Sequence, residues 1–355
     1  MRQFERDHIH SMTGYTPGEQ PCEPGVVKLN TNENPFPASA KVFEALRDFD
    51  AASLRKYPEP DCRTLREAIA AELRLSEAQV LVTNGGDELL RMVFTTFCAP
   101  DSFVLSTEPT YSLYPVLAAL HQCKFVGVNL DDGHGLPVDL AKHVRDLAPS
   151  LVLIVNPHAP TGRLFSLQAL GDLARNVPGV LLVDEAYVDF VAPEQGHDSV
   201  AFMAEHPNVI LLRTFSKGYS LAGIRLGFGL GAEALIAPMA TKVRDSYNVD
   251  GVAQALGLAA WQDQAHRART ATRIRRERTR VREALIARGF AVPESHANFV
   301  HATPPAGSSA HDLFLDLKNK GVLVRYFAHP GDALRITIGS RAENDALLNA
   351  LPATP

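Results

Sequence analysis

From about residue 40 the chain alternates stretches whose apolar residues recur at helical spacing with short runs that are apolar throughout. That alternation predicts strand–helix units feeding a largely parallel sheet covered on both faces. Seven runs have strand length: Val80–Val82, Phe103–Leu105, Phe125–Val128, Leu151–Val155, Val180–Val183, Val209–Leu212 and Phe228–Leu230. Helical stretches such as Glu88–Cys98 and Leu167–Ala174 lie between them behind turn or capping residues, and Glu233–Arg244 follows the last. The fold class expected is α/β: a large domain over residues 41–247, with a mostly parallel seven-stranded sheet flanked by helices. Past residue 247 an Arg-rich helical run, Thr270–Arg288, gives way to short strands and two helices, which predicts a smaller α+β domain over 248–355. In that run Ala, Ile, Val and Leu interleave the arginines, so it reads as an amphipathic helix with a solvated basic face. Residues 1–40, with Pro17, Pro21, Pro24, Pro35 and Pro37, read as an extended arm packing with the small domain.

Composition narrows the class. With 46% hydrophobic and 21% charged residues in 355, the chain is an ordinary globular protein, neither disordered nor fibrous. Its net charge of -5 lacks the global basic excess of a nucleic-acid binder. Cys22, Cys62, Cys98 and Cys123 are spaced too widely for zinc or redox motifs and point to a reducing compartment. The first twenty-five residues carry Arg2, Glu5, Arg6, Asp7, His8 and His10 and no apolar stretch, so no secretory signal is expected, and the least polar stretches, such as Ala148–Gly162, carry prolines and fall short of the ~18 apolar residues of a bilayer span; the expected location is cytoplasmic.

The most informative segment is Thr214-Phe215-Ser216-Lys217, at the end of a predicted strand and followed by Gly218 and Leu221-Ala222-Gly223-Ile224-Arg225. A lysine kept partly neutral forms a Schiff base with a carbonyl, and hydroxyls with an arginine nearby suit a phosphate; together they meet the needs of pyridoxal phosphate. An isolated lysine in a polar loop would mean nothing of the kind, so other strand ends must agree. Val183-Asp184-Glu185-Ala186-Tyr187 delivers an acid where open α/β sheets gather ligands. A carboxylate there keeps a pyridine nitrogen protonated, although Asp184 could equally cap a helix. Asn156 ends another predicted strand, before Pro157-His158-Ala159-Pro160-Thr161-Gly162; its amide could reach a ring oxygen or merely fix the turn. Thr83-Asn84-Gly85-Gly86-Asp87-Glu88 lets backbone N–H groups approach a phosphate at a helix start, while Asp87 and Glu88 suit the helix dipole anyway. Tyr111, in Glu108-Pro109-Thr110-Tyr111, could stack on a flat ring or pack in the core. The Gly227-x-Gly229-x-Gly231 string lies inside a strand-like run and is not a dinucleotide loop. His8 and His10 lack the accompanying ligands of a metal site, and no hydrolase elbow is present.

Taken in order, Asn156, Asp184, Tyr187, Ser216, Lys217 and Arg225 resemble the fold type I pyridoxal-phosphate aminotransferases, specifically the histidinol-phosphate aminotransferase family. The resemblance extends to Leu29-Asn30-Thr31-Asn32-Glu33-Asn34-Pro35, Lys56-Tyr57-Pro58, Gly86-Asp87-Glu88 and Leu334-Arg335-Ile336-Thr337-Ile338-Gly339. It implies Lys217 as the lysine bound to the cofactor, Asp184 on the ring nitrogen, Asn156 and Tyr187 on the ring oxygen, and Tyr111 over the ring. It implies phosphate binding by Thr214, Ser216, Arg225 and backbone near Gly86 and Asp87. It further implies a homodimer in which Tyr57 crosses to the neighbour's cofactor phosphate. Tyr15, Arg325, Arg335 and Asn156 are implied to hold the substrate, the arginines at its anionic end. His158 and Ala159 depart from the commoner Asn-Asn of the family at a loop expected beside the substrate entrance. The implied reaction exchanges amino groups between histidinol phosphate and 2-oxoglutarate, and in the direction of histidine biosynthesis makes histidinol phosphate from imidazole acetol phosphate and glutamate. An aromatic amino acid aminotransferase and a phospho-amino-acid decarboxylase are the alternatives on the same fold. A DNA-binding regulator is disfavoured, because the arm is too short for a binding module.

Overall fold

The computed structural model describes residues 4–21, 25–130, 135–328 and 331–352; Arg2, Cys22 and Pro24 lie outside them. In chain order the strands are β1 (Val27–Lys28), β2 (Val80–Thr83), β3 (Phe103–Glu108), β4 (Lys124–Asn129), β5 (Leu151–Val155), β6 (Val180–Asp184), β7 (Val209–Thr214), β8 (Gly227–Gly231), β9 (Phe299–Ala302), β10 (Val322–Leu323), β11 (Arg325–Phe327) and β12 (Ala333–Thr337). Strands β2 to β8 form one seven-stranded sheet in the order β2-β8-β7-β6-β5-β3-β4. Only β8 runs antiparallel to its neighbours. Each of the seven apolar runs became a strand of this sheet, and β2, β5, β6 and β8 are buried along their whole length.

Two cores cover the two faces. One includes Leu89, Leu153, Leu182 and Leu212, the other Val152, Leu181, Leu211 and Phe228. Alternate residues of β5 and β6 thus enter opposite cores, as the two-residue period of a strand requires. The glycines of β8 have steric work to do. A Cβ on Gly227 would lie 2.9 Å from the Gly85 carbonyl carbon and the Gly86 nitrogen, and one on Gly229 would lie 2.9 Å from Leu89. They let the helix Gly85–Phe97 settle onto the sheet with its start at the strand ends.

Beyond the large sheet, β11, β12 and β9 form an antiparallel three-stranded sheet. The arm joins this region. β1 pairs in parallel with β10, Thr337 N donates to Leu29 O, and Asn32 exchanges hydrogen bonds with the Thr337 hydroxyl.

Three expectations change. The 247/248 division cuts off helix Gly251–Trp261, which packs on Ala40–Arg47 and Arg63–Leu73 and shares a core with the large sheet; Trp261 stacks among Phe215, Tyr219 and Phe228. The α+β texture therefore starts with the helix Gln264–Ile286. That helix does not simply turn its arginines to water. Arg278 donates to Ala297 O at 2.6 Å, Arg282 to Val292 O at 2.9 Å, Arg267 pairs with Asp189 at 2.7 Å, and Arg273 lies 3.8 Å over the Phe36 ring. Arginine stems cover apolar surface while the heads serve carbonyls left open by the adjoining loop. Lastly, the helix expected over Glu233–Arg244 ends at Pro238 and finishes as a wider turn, Met239–Val243.

Candidate active site

Strand ends β6 and β7, the start of helix Gly85–Phe97, the arm and β11–β12 surround one pocket of about 390 Å³. Gly86, Asp87, Tyr111, Asp184, Tyr187, Thr214, Ser216, Lys217 and Arg225 all line it, as do Tyr15, Arg325 and Arg335. These residues come from six separate stretches of sequence, and the four that follow β2, β3, β6 and β7 meet there because parallel strands present their C-terminal ends on one edge of a sheet.

Asp184 ends β6 almost fully buried. Its Oδ2 accepts from the Tyr114 hydroxyl at 2.8 Å and its Oδ1 from Ala186 N at 3.0 Å. Burial pushes the carboxyl up to about 6 while those two donors pull it down. The Asp184–Ala186 bond closes a local turn and does not cap a helix, since the next helical turn begins at Val188 behind Tyr187, and the Asp184 side chain lines the pocket. Lys217 Nζ donates to Thr31 O at 2.9 Å, and Asn34 Nδ2 donates to Lys217 O at 3.0 Å. Burial, with Arg335, Lys28 and Arg225 nearby, brings the Lys217 ammonium down to about 8. A usable fraction of free amine thus exists near neutrality. The Tyr187 hydroxyl accepts from Asn32 Nδ2 at 2.9 Å, and burial raises its pKa, so it keeps its proton to donate.

At the opposite wall, Thr214 Oγ1 donates to Ser216 Oγ at 3.0 Å and accepts from Ser216 N. Asp87, inside the first helical turn, takes the Tyr111 hydroxyl at 3.3 Å and pairs with Arg225 at 3.4 Å. Its negative charge is thereby held by a cation, leaving backbone N–H groups and hydroxyls for an anion. Gly85 has φ +74°, and a Cβ there would lie 2.8 Å from an Arg225 nitrogen, so a glycine is needed where the arginine folds over the helix start. Tyr111 meets Tyr15 edge-on at 5.8 Å and Tyr114 at 5.6 Å.

Three expected contributors sit differently. Asn156 is fully buried; its Oδ1 accepts from Phe165 N at 2.8 Å and its Nδ2 donates to Phe165 O at 3.2 Å. Its amide fixes the loop, with one amide hydrogen left over for any other contact, and the pocket wall at this point is Val155, Ala159 and Pro160. His158 does not face the entrance. It is fully buried, bonded to Thr161 Oγ1, Thr107 Oγ1 and Pro109 O, and burial holds its pKa down to about 3; only Ala159 of that pair reaches the pocket. Tyr57 does not line its own chain's pocket. It is 80% exposed, stacked on Tyr247 at 4.4 Å.

Sequence reasoning missed Tyr114, Asn32 and Glu33. Glu33 lines the pocket and pairs with Lys28, and these contacts hold its carboxylate below the usual range against the pull of burial. The Leu29–Pro35 motif flagged the arm without assigning roles, and Tyr114 sits in an apolar helical stretch indistinguishable from core.

These residues fit pyridoxal phosphate. A primary amine with lowered pKa faces an aldehyde's requirement, and a buried carboxylate suits a pyridine nitrogen. Adjacent glycines at a helix start leave the space and N–H groups a phosphate needs. Residues 24–351 match the family model described as aminotransferase class I and II. A histidinol-phosphate aminotransferase 1 from Nostoc sp. is 39% identical over 99% of this chain and 98% of its own length. A histidinol-phosphate aminotransferase 2 from Thiobacillus denitrificans is 40% identical over 97% and 96%. Among solved structures, histidinol-phosphate aminotransferase from Sinorhizobium meliloti in complex with pyridoxal-5'-phosphate superposes with a TM-score of 0.88 at 25% identity, covering 99% of this chain and 97% of that one. The chain therefore belongs to the class I and II aminotransferases, and within them to the histidinol-phosphate aminotransferase family, transaminases of fold type I that use pyridoxal phosphate.

Proposed function

We propose that this enzyme exchanges amino groups between histidinol phosphate and 2-oxoglutarate, producing histidinol phosphate from imidazole acetol phosphate and glutamate when it serves histidine biosynthesis. The observation that carries this reading is the pairing of Arg325 with Arg335 on β11 and β12, which puts two guanidinium forks on the pocket wall. Two forks suit the charge and oxygen count of a phosphate monoester.

Bound pyridoxal phosphate would supply an aldehyde to take up the amino group and a ring that draws electrons from the substrate α-carbon. Lys217 would hold that aldehyde between turnovers. Its free amine would take the proton from the substrate α-carbon, a task its lowered pKa favours. Asp184, anchored by Tyr114 and Ala186 N, would keep the ring nitrogen protonated. Tyr187 and Asn156 would donate to the ring oxygen, and Tyr111 would lie over the ring. Thr214, Ser216, Arg225 and backbone N–H groups at Gly86 and Asp87 would hold the cofactor phosphate. Tyr15 would meet the substrate from the arm. Exposed Tyr57, away from its own pocket, suits delivery to the cofactor phosphate of a second copy in a homodimer. The same reading places the enzyme in the cytoplasm, where Cys62, Cys98 and Cys123 remain free thiols; no helix among the described residues is long and apolar enough to cross a membrane.

The test is the visible spectrum of the holoenzyme with histidinol phosphate and no keto acid. Loss of the long-wavelength cofactor band, restored by 2-oxoglutarate, is expected. A band that ignores histidinol phosphate but responds to phenylalanine or threonine phosphate would overturn the substrate assignment.

A further inference from the structure

Arg335 has a cross-strand neighbour on each side. Arg325 of β11 lies opposite it, and on the other side, in β9, lies His301. Directly opposed residues of antiparallel strands share a face. That face is the pocket face: Phe299, two residues from His301, meets the pocket tyrosine Tyr187 edge-on at 5.0 Å and sits 5.4 Å under the Arg335 guanidinium.

Two buried atoms in this row have no partner. One is Arg335 Nε, always a donor; the other is His301 Nε2, on a side chain 93% buried by its 7% exposure. Buried unpaired polar atoms are rare and call for an explanation. Meanwhile the Arg335 fork is occupied, with Nη2 donating to Asn30 O at 2.9 Å. A substrate anion that claims the fork must draw it from that carbonyl.

We propose that His301 is a positioning residue for Arg335: its Nε2 accepts the Arg335 Nε–H when the guanidinium turns from Asn30 O to the anionic end of the substrate. The donor and the acceptor are already complementary across the strand pair. Burial, with Arg163 and Arg335 nearby, holds the His301 pKa down to about 4, so the ring is neutral near pH 7 and has a nitrogen lone pair to offer. Two states of Arg335 follow. In the resting one its charge is spent on the arm at Asn30, and in the engaged one the imidazole anchors the side chain from behind while both Nη groups address the anion. His301 thereby lowers the cost of binding a phosphate-bearing substrate without touching it. This inference rests on the histidinol phosphate reading for its substrate, but not for its test.

The test compares wild type, His301→Leu and His301→Gln as holoenzymes, with inorganic phosphate as a competitive inhibitor and histidinol phosphate as substrate. His301→Leu is expected to weaken phosphate inhibition and raise KM by about tenfold, the loss of one hydrogen bond to a charged donor, with kcat within twofold of wild type. His301→Gln, whose Oε1 can accept, should recover most of the loss. A crystal structure of wild-type holoenzyme with phosphate bound should show Arg335 Nε within about 3.2 Å of His301 Nε2. Phosphate inhibition unchanged in His301→Leu, or an Arg335 Nε still apart from His301 in that crystal structure, would overturn the proposal. Wild type that binds phosphate but does not turn over histidinol phosphate would overturn the substrate reading alone.

Discussion

Replacing Tyr114 by phenylalanine removes one oxygen from a fully buried ring and leaves its edge contact with Tyr111 in place. What is lost is the 2.8 Å hydrogen bond to Asp184 Oδ2, leaving Ala186 N as the donor to that carboxylate. A buried hydrogen bond to a charged group contributes about 1.5–3 kcal/mol, equivalent to raising the Asp184 pKa by about one to two. Since burial already pushes that pKa to about 6, the carboxyl of cofactor-free Tyr114→Phe would be about half protonated or more at neutral pH, where the wild type is largely ionised. A protonated Asp184 cannot hold a protonated ring nitrogen, so the variant should bind pyridoxal phosphate less tightly near pH 7 and regain affinity as pH rises. Titrating cofactor affinity from about pH 6 to 9 should show the midpoint displaced upward by about one to two. The single-turnover rate with glutamate should fall by about tenfold or more. An unshifted midpoint together with a wild-type turnover rate would refute the assignment of Tyr114 as the anchor of Asp184.

The stability of the cofactor-free protein should report the same carboxyl. Because its folded pKa of about 6 lies above the unfolded 3.8, the folded state binds the extra proton between them, and wild type loses stability as pH rises through that window. Asp184→Asn should escape this loss and be more stable above about pH 6 by at most about 3 kcal/mol, read from denaturant midpoints. Gly227→Ala should cost about 1–3 kcal/mol and loosen cofactor binding by displacing the Gly85–Gly86 backbone, whereas Gly223→Ala, with open space around it, should be nearly neutral in the same denaturation assay. Mixing Lys217→Ala with Tyr57→Ala subunits should regain activity that neither homodimer has, since each hybrid carries one intact site if Tyr57 crosses over; no recovery in assays of the re-equilibrated mixture would place Tyr57 in its own subunit's site.

The parts of this molecule written locally were legible from the sequence. Parallel strands covered on both faces must be continuous apolar runs, so β5, β6 and β7 announced themselves, and with them the positions of Asp184 and Lys217 at their ends. Glycines 227, 229 and 231 read as strand because their neighbours were apolar. Illegible were the features set by distant partners. Nothing near Tyr114 says that its hydroxyl meets a carboxylate 70 residues away. His158 looked like a loop residue until Thr107 and Pro109 supplied bonds from another strand end. Two-residue β1 has no period to detect, and helix Gly251–Trp261 looks the same whichever domain it packs on.

The stitching of the arm to β12 sets an order for biosynthesis. Asn32, which holds Tyr187, is itself held by Thr337, 305 residues later. During translation the large sheet can form once β8 has emerged, but the wall that includes Arg335 cannot close until β12 has emerged as well. Throughout that interval the emerging polypeptide has strand ends capable of receiving a cofactor and no finished chamber to receive a substrate. A nascent chain stalled before residue 333 would therefore carry the large sheet with an arm that lacks Thr337 as its partner, and only the emergence of β12 would complete the wall that holds Arg335.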